Sequence, residues 1–428
     1  MLFLTVLLHS NNVTSIGDGA FTGCSSLTNI TIPSSITKIG EYAFKDCTSL
    51  KSVTIPKFIN IGFYAFPMNC IVEKDKSEIQ TNNTNETFIQ TLLSYLPNQN
   101  NDDNQLLEKI KQTISIEKPN VKFSNIYGLE PAKTVFRNII FLPKEMPQFF
   151  ENTRKKKCIL LYGPPGTGKT LFAQAVAGEL DNCTFFSPKT CDLLSKYKGE
   201  AEKLIKTLFD TAQKNASETG NQSIIFIDEI DSLLSKRKED DQLSGIKTQF
   251  LQQIEGFSSS MDNVIFIAAT NYPWNLDDAI LSRFGNRIFI PLPDSESRKN
   301  LVYNLMLPIP NSLSEENYNY ISEKTEGFSG RDITNLFDYL IENVRIQKLK
   351  KAEYFYENNG KYYICDKSHT NAKKKKFKNF SREDKLKIQP PLIKIDDFNI
   401  ALNFCHPSSS PLIENYQGWT KDHGKNGN

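Results

Sequence analysis

Cys158-Ile159-Leu160-Leu161-Tyr162-Gly163-Pro164-Pro165-Gly166-Thr167-Gly168-Lys169-Thr170 decides the fold. Its five leading apolar residues read as a buried strand, and the glycine-rich turn after them carries Lys and Thr at the spacing of a phosphate-binding loop. The glycines let backbone N–H groups turn inward around phosphate oxygens. Lys169 neutralises charge on the β and γ phosphates, and the Thr170 hydroxyl is placed to ligate Mg²⁺. Leu171-Phe172-Ala173-Gln174-Ala175-Val176-Ala177 has helical spacing, so the positive end of a helix dipole points at the same phosphates.

Further along, Ser223-Ile224-Ile225-Phe226-Ile227-Asp228-Glu229 is a buried β-run ending in paired carboxylates. Asp228 is the candidate second holder of Mg²⁺, directly or through water, and Glu229 the candidate that orients and polarises an attacking water. Val264-Ile265-Phe266-Ile267-Ala268-Ala269-Thr270 reads as another buried strand and ends at Asn271, an amide suited to sensing the γ-phosphate or holding the water. From Val121 to about Leu301 strands alternate with helical stretches, which predicts a parallel sheet sandwiched by helices; beyond it helices dominate, over Arg331–Lys351 and Asp396–Phe404.

The chain has 428 residues, enough for two or three domains, with an ordinary 39% of hydrophobic residues. Its 51 Lys and Arg nearly balance 49 Asp and Glu, so nothing in the overall charge points to nucleic acid or a membrane surface. Eight cysteines show no CxxC pair or metal spacing and read as reduced thiols; Cys24, Cys47 and Cys70 recur every 23 residues. The apolar opening Met1–Leu8 lacks a basic flank and a small-residue cleavage site, so it is not read as a signal peptide, and no stretch reads as a membrane span. A cytoplasmic protein, on membranes only through partners, is expected.

Ile16-Gly17-Asp18-Gly19-Ala20-Phe21 returns as Ile39-Gly40-Glu41-Tyr42-Ala43-Phe44 and as Ile61-Gly62-Phe63-Tyr64-Ala65-Phe66. Between these, Leu27–Pro33 and Leu50–Pro56 supply one short strand per unit. Residues 1–72 resemble leucine-rich repeats of the bacterial surface antigen type, a short solenoid that is either a protein-binding surface or a remnant with no present role. Three imperfect units without visible caps should be marginal. Residues 73–119 read as a polar linker with brief helical promise at Phe88–Leu93 and Leu106–Ile110. The expected domains are thus 1–72, the linker 73–119, an α/β ATPase subdomain 120–301, and a small helical subdomain 302–428 with a β-insertion at about 352–390.

With the loop, the acidic pair and Asn271 in order, the chain from Val121 onward resembles the AAA ATPases. Within them it resembles the group that holds katanin, spastin and the vacuolar protein sorting ATPase that disassembles ESCRT-III, the last most closely. Ile126-Tyr127-Gly128-Leu129 is similar to the segment lining the adenine pocket. The resemblance implies a P-loop NTPase sheet followed by a small helical lid, with ATP and Mg²⁺ as cofactors. It implies that Gly128, Gly163, Pro164, Pro165, Gly166, Thr167, Gly168, Lys169, Thr170 and Leu171 contact nucleotide, that Thr170 and Asp228 hold the metal, and that Lys169, Asp228, Glu229 and Asn271 serve catalysis.

It further implies a hexameric ring in which Arg283, in Leu281-Ser282-Arg283-Phe284-Gly285-Asn286-Arg287, is an arginine finger to the neighbouring subunit, with Arg287 as second contact. Ser282 stands where the group carries another Arg. Lys196, Tyr197 and Lys198 look like the first pore loop, Tyr197 gripping a peptide; the second pore region, Arg237–Gly245, is short. Arg331, where the group has a small residue, is a candidate for reaching the γ-phosphate in cis. The hairpin signal Tyr354–Ile364 with its Asn359-Gly360 turn is absent from katanin and spastin, whereas the sorting ATPase has an inserted β element there that binds an activating cofactor. Lys373-Lys374-Lys375-Lys376-Phe377-Lys378 is a basic run within it, read chiefly as a solvated loop. Tyr416–Gly424 is similar to the terminal helix that folds back on the core. Nothing in residues 1–120 looks like the sorting ATPase's helical recruitment domain.

These readings converge on an ATP-hydrolysing ring that pulls or unfolds protein subunits, acting on ESCRT-III-like polymers at endosomal membranes. Two rivals stand beside it: a microtubule-severing ATPase acting on tubulin tails, and a nucleotide-binding interaction module in which the repeats do the work.

Overall fold

In the computed structural model of the chain, the residues described are 13–56, 59–62, 64–67, 70–74, 114–115, 119–150, 157–193, 200–236, 241–256, 263–408 and 413–424. The expected helical stretches at 88–93 and 106–110 lie outside them, as do Lys196, Tyr197 and Lys198 of the first pore loop, residues 237–240 of the second, and the opening 1–12. The chain divides into two compact units, one of residues 1–75 with 292–410 and the other of 76–291 with 411–428. Residues 411–428, grouped by sequence with the small helical subdomain, therefore belong with the ATPase unit.

In the first unit the repeats form two small parallel sheets. Strands β1 (Ser15–Ile16), β3 (Lys38–Ile39) and β5 (Asn60–Ile61) make one; β2 (Asn29–Thr31), β4 (Ser52–Ile55) and β6 (Ile71–Lys74) make the other. The repeat works because equivalent residues stack: Phe21 lies 5.2 Å from Phe44 and Phe44 5.4 Å from Phe66, ring on ring. The repeated glycine is steric, since a Cβ on Gly40 would sit 2.4 Å from the Asp18 amide nitrogen of the preceding repeat.

The second unit is built on a six-stranded sheet. The strands are β7 (Ile114–Ser115), β8 (Cys158–Tyr162), β9 (Cys183–Pro188), β10 (Gln222–Ile227), β11 (Val264–Thr270) and β12 (Asn286–Phe289), in the order β12-β8-β11-β10-β9-β7. Five are parallel, and β8, β10 and β11 are buried along their whole length, as continuous apolar runs with helices on both faces require. Strand β7, from the segment read as linker, pairs antiparallel with β9 and forms the edge of the sheet. Helices cover both faces: Lys169–Glu179 packs with Phe123 and Phe136 on one, Glu200–Thr219 and Asp241–Gly256 on the other.

Cys158 at the start of β8 is 6% exposed, and burial pushes its thiol up to about 12. Iodoacetamide at pH 8 should therefore label it only as fast as the sheet unfolds. Labelling in the folded protein as rapid as that of a free peptide thiol would show that this strand is open.

In the first unit the small helical part carries Ser295–Met306, Glu315–Lys324, Gly330–Tyr339 and Ile395–Leu402. The helix expected over Arg331–Lys351 is continuous from Gly330, with a π-helical stretch at Leu340–Arg345. The insertion is a hairpin, β13 (Tyr354–Asn358) and β14 (Lys361–Ile364), turned through Asn359 (φ 50°) and Gly360 (φ 72°) as the Asn-Gly signal predicts. A third strand, β15 (Lys373–Lys374), pairs with β13. It comes from the basic run, whose Lys375 sits 4.0 Å over the Phe380 ring and whose Lys376 bridges Glu353 at 3.5 Å. Two of the run's charges are thus taken up within the subdomain. Among the described residues no helix is long and apolar enough to cross a membrane.

Candidate active site

Parallel strands place their carboxyl ends on one edge of the sheet, where ligands of such sheets bind. Tyr162 of β8 is paired with Thr270 of β11, and Ile227 of β10 with Ala268. Gly163, Asn271 and Asp228, each the next residue in its strand, therefore leave the sheet side by side. The three motifs separated by a hundred residues of sequence meet for that reason.

The loop has the backbone of a cradle. Gly163, Gly166 and Gly168 have φ of 152°, 77° and 90°, values that disfavour any side chain. A Cβ on Gly163 would lie 2.1 Å from the Ile290 carbonyl oxygen, so the loop passes β12 with no room to spare, whereas one on Gly168 would meet nothing within 4 Å. Lys169, 6% exposed, donates from Nζ to the Gly163 and Pro164 carbonyls at 2.8 and 2.7 Å, which holds its ammonium inside the loop. Thr167 closes the turn by donating to the Pro164 carbonyl at 2.9 Å.

Beside it the Thr170 hydroxyl donates to Asp228 Oδ2, and the Asp228 Oδ1 accepts the Glu229 amide at 2.9 Å. Two hard oxygen donors thus stand in contact next to a phosphate cradle, a set that fits Mg²⁺ shared with a triphosphate. Glu229 is exposed and has φ 51°, a left-handed backbone uncommon for a residue with a long side chain. Its carbonyl is held by Ser232, whose amide and hydroxyl donate at 3.0 and 2.9 Å.

Some contacts around these residues had no sequence signal. Thr190 Oγ1 donates to the Asp228 carbonyl at 2.7 Å, and Thr270 Oγ1 to Asp231 Oδ1 at 2.6 Å. The Asn271 carbonyl accepts the hydroxyl of Tyr416, which is fully buried on the terminal helix Ile413–His423. Trp419 of that helix meets Tyr162 edge-on at 4.5 Å, and Thr420 Oγ1 takes the Tyr162 hydroxyl at 3.0 Å. The terminal helix is therefore packed against the ends of both β8 and β11.

The two arginines differ. Arg283 is exposed, ends the short helix Asp278–Arg283 and pairs with Glu255 of its own chain. Ser282 donates to the Ala279 carbonyl at 2.6 Å. Arg287, expected as a second contact to a neighbouring subunit, is turned inward and 8% exposed. It donates to the carbonyls of Leu281 and His423 at 2.7 and 3.0 Å, and burial lowers its pKa. Carbonyls at the ends of two helices capture the guanidinium, so within the chain Arg287 clamps the Asp278–Arg283 helix to the terminal helix. Gly128 has φ 66° and lies in the segment leading into the helix Glu130–Phe136, where Lys133 Nζ donates to the Ile126 carbonyl at 2.7 Å. Leu171 is 43% exposed on the helix after the loop. Arg331 is exposed in the first turn of Gly330–Tyr339, in the other unit.

Residues 159–292 match the family model of the ATPase family associated with various cellular activities (AAA), and residues 3–103 match six copies of the BspA type leucine rich repeat region. The repeat match runs past residue 72. The chain is 38% identical over 334 residues to the Arabidopsis thaliana protein SUPPRESSOR OF K(+) TRANSPORT GROWTH DEFECT 1, covering 76% of this chain and 75% of that one. It is 43% identical over 260 residues to the Mus musculus vacuolar protein sorting-associated protein 4B, covering 60% of this chain but only 57% of the relative. The crystal structure of the FIGL-1 AAA domain superposes with a TM-score of 0.61 at 29% identity, over 78% of this chain and 98% of that one.

Proposed function

This chain belongs to the AAA ATPases, and on that premise we propose that it works as a hexameric ring that pulls or unfolds protein subunits, disassembling ESCRT-III-like polymers in endosomal sorting. The observation that carries the chemistry is the contact of Thr170 with Asp228 beside the Lys169 loop, with Glu229 and Asn271 at the adjacent strand ends. What supports the substrate class is the similarity to a vacuolar protein sorting-associated protein, together with the β-insertion at residues 354–374.

MgATP, when bound, supplies the phosphoanhydride to be cleaved and a divalent charge that shields its phosphates. The chain's own residues do the rest. The loop amides and Lys169 hold the β and γ phosphates, while Thr170 and Asp228 hold the metal. Glu229 orients a water for attack and accepts its proton, and the Asn271 amide fixes the same water or the γ-phosphate. Arg283 of one subunit releases Glu255 and stabilises transition-state charge in the next, in the manner of a finger supplied in trans. Tyr197 with Lys196 and Lys198 grips the substrate in the ring's channel, and the insertion receives an activating partner.

The test is co-sedimentation of the Glu229→Gln protein, loaded with ATP, with ESCRT-III polymers and separately with microtubules. Retention on the polymers alone is expected. Retention on microtubules alone would make this a severing enzyme, and binding to neither would leave the substrate to be sought through the repeats.

A further inference from the structure

Inside the repeat stack each unit satisfies its neighbour's backbone. The Gly40 amide donates to the Ile16 carbonyl and the Gly62 amide to the Ile39 carbonyl, both at 2.8 Å. In the forward direction the Gly19 amide donates to the Glu41 carbonyl at 2.8 Å, and the Phe21 and Phe44 amides donate to the Ala43 and Ala65 carbonyls at 2.7 Å. The third unit has no further described repeat against it. Its Ile61 carbonyl and its Tyr64 amide, the counterparts of Ile39 and Gly19, would be left as an open ladder edge, and buried backbone groups without partners are costly.

Both are met by consecutive residues of one helix, Ser295–Met306. Asn304 Nδ2 donates to the Ile61 carbonyl at 3.4 Å, and the Tyr64 amide faces the Tyr303 hydroxyl, while the Ala65 amide donates to the Gly62 carbonyl of its own repeat at 3.3 Å. The aromatic column continues across the same junction. Tyr42 stacks on Tyr64 at 6.0 Å, Tyr64 meets Tyr303 at 6.3 Å, and Tyr303 meets Tyr318 edge-on at 5.4 Å. Tyr303 and Tyr318 are 6% and 4% exposed, and Ile61, Ala65 and Phe66 share one buried cluster with Val302 and Met306.

We propose that the helix Ser295–Met306 is the C-terminal cap of the repeat solenoid: Tyr303 and Asn304 replace the backbone of a fourth repeat, so the repeats and the small helical subdomain form one folded piece. The partner for the open end of the solenoid is this chain itself. A solenoid end without a cap exposes its core and frays, and a helix already stabilised by its own subdomain removes that weakness. The repeats are thus carried rigidly by the small subdomain instead of hanging from a tether.

The test uses the full chain with a protease site inserted among residues 76–113 and an affinity tag before the repeats. After cutting, the tagged repeat fragment should still bring down the remainder. Tyr303→Ala with Asn304→Ala should release it, with ATP binding by the ATPase unit retained as the sign that the remainder is folded. Because that double variant removes packing as well, Tyr303→Phe is the sharper probe. Residue-resolved hydrogen exchange should show the Tyr64 amide protected in the unmodified chain and exchanging about tenfold faster in Tyr303→Phe, the loss expected for one hydrogen bond. The Phe44 and Ile225 amides should be unchanged. Separation of the unmodified chain on cutting would overturn the proposal. So would a Tyr64 amide that exchanges freely, or that keeps its protection in Tyr303→Phe, the result if a fourth repeat occupies the site.

Discussion

Glu229→Gln is expected to lower ATP turnover at least a hundredfold while nucleotide affinity stays within about twofold, the size of effect that general-base and water-positioning groups contribute. Gln has the volume of Glu and leaves the Asp228–Glu229 backbone contact at 2.9 Å in place. What it loses is the carboxylate. The side chain is exposed and carries none of the sheet's packing, so folding should be unaffected. Steady-state hydrolysis measured together with equilibrium binding of a labelled nucleotide checks this. A variant that turns over at the original rate would remove Glu229 from the chemistry.

The second large effect should come from Tyr416→Ala. Tyr416 is fully buried, packs with Trp274 at 5.1 Å and Phe289 at 6.1 Å, and donates to the Asn271 carbonyl. Truncation of a buried aromatic costs about 3–5 kcal/mol, which should appear as a lower urea midpoint for the ATPase unit. Tyr416→Phe keeps the ring and removes only the hydroxyl, at about 1 kcal/mol. An alanine variant as stable as the original would mean that the terminal helix is not held where it is described.

The parts legible in the sequence were those where chemistry or periodicity acts locally. Gly163–Thr170 announces its backbone because only glycine accepts those φ values, and the strands β8, β10 and β11 announce theirs because burial on both faces leaves uninterrupted apolar runs. The repeats were legible through their period, and the β13–β14 turn through Asn359-Gly360. The inward hold on Arg287 was not legible, because a guanidinium is defined by whatever carbonyls surround it, and those of Leu281 and His423 lie far apart in the chain. Strand β15 carries Lys373-Lys374 with no apolar alternation, and β7 sits in a polar stretch, so each exists only because a neighbouring edge accepts it. Nothing in the sequence singles out the hydroxyls of Tyr416 and Tyr303. Their partners are fixed by packing, which no spacing rule encodes.

Ile61 and Asn304, which meet in the folded chain, are 243 residues apart. At about 5–20 residues per second, roughly ten to fifty seconds of translation separate them. Throughout that interval the third repeat emerges from the ribosome with its backbone edge unpaired, beside nascent copies of itself on the same message. Unpaired edges invite pairing between chains, so the capping contact comes late in synthesis, and a slow ribosome would lengthen the wait for it.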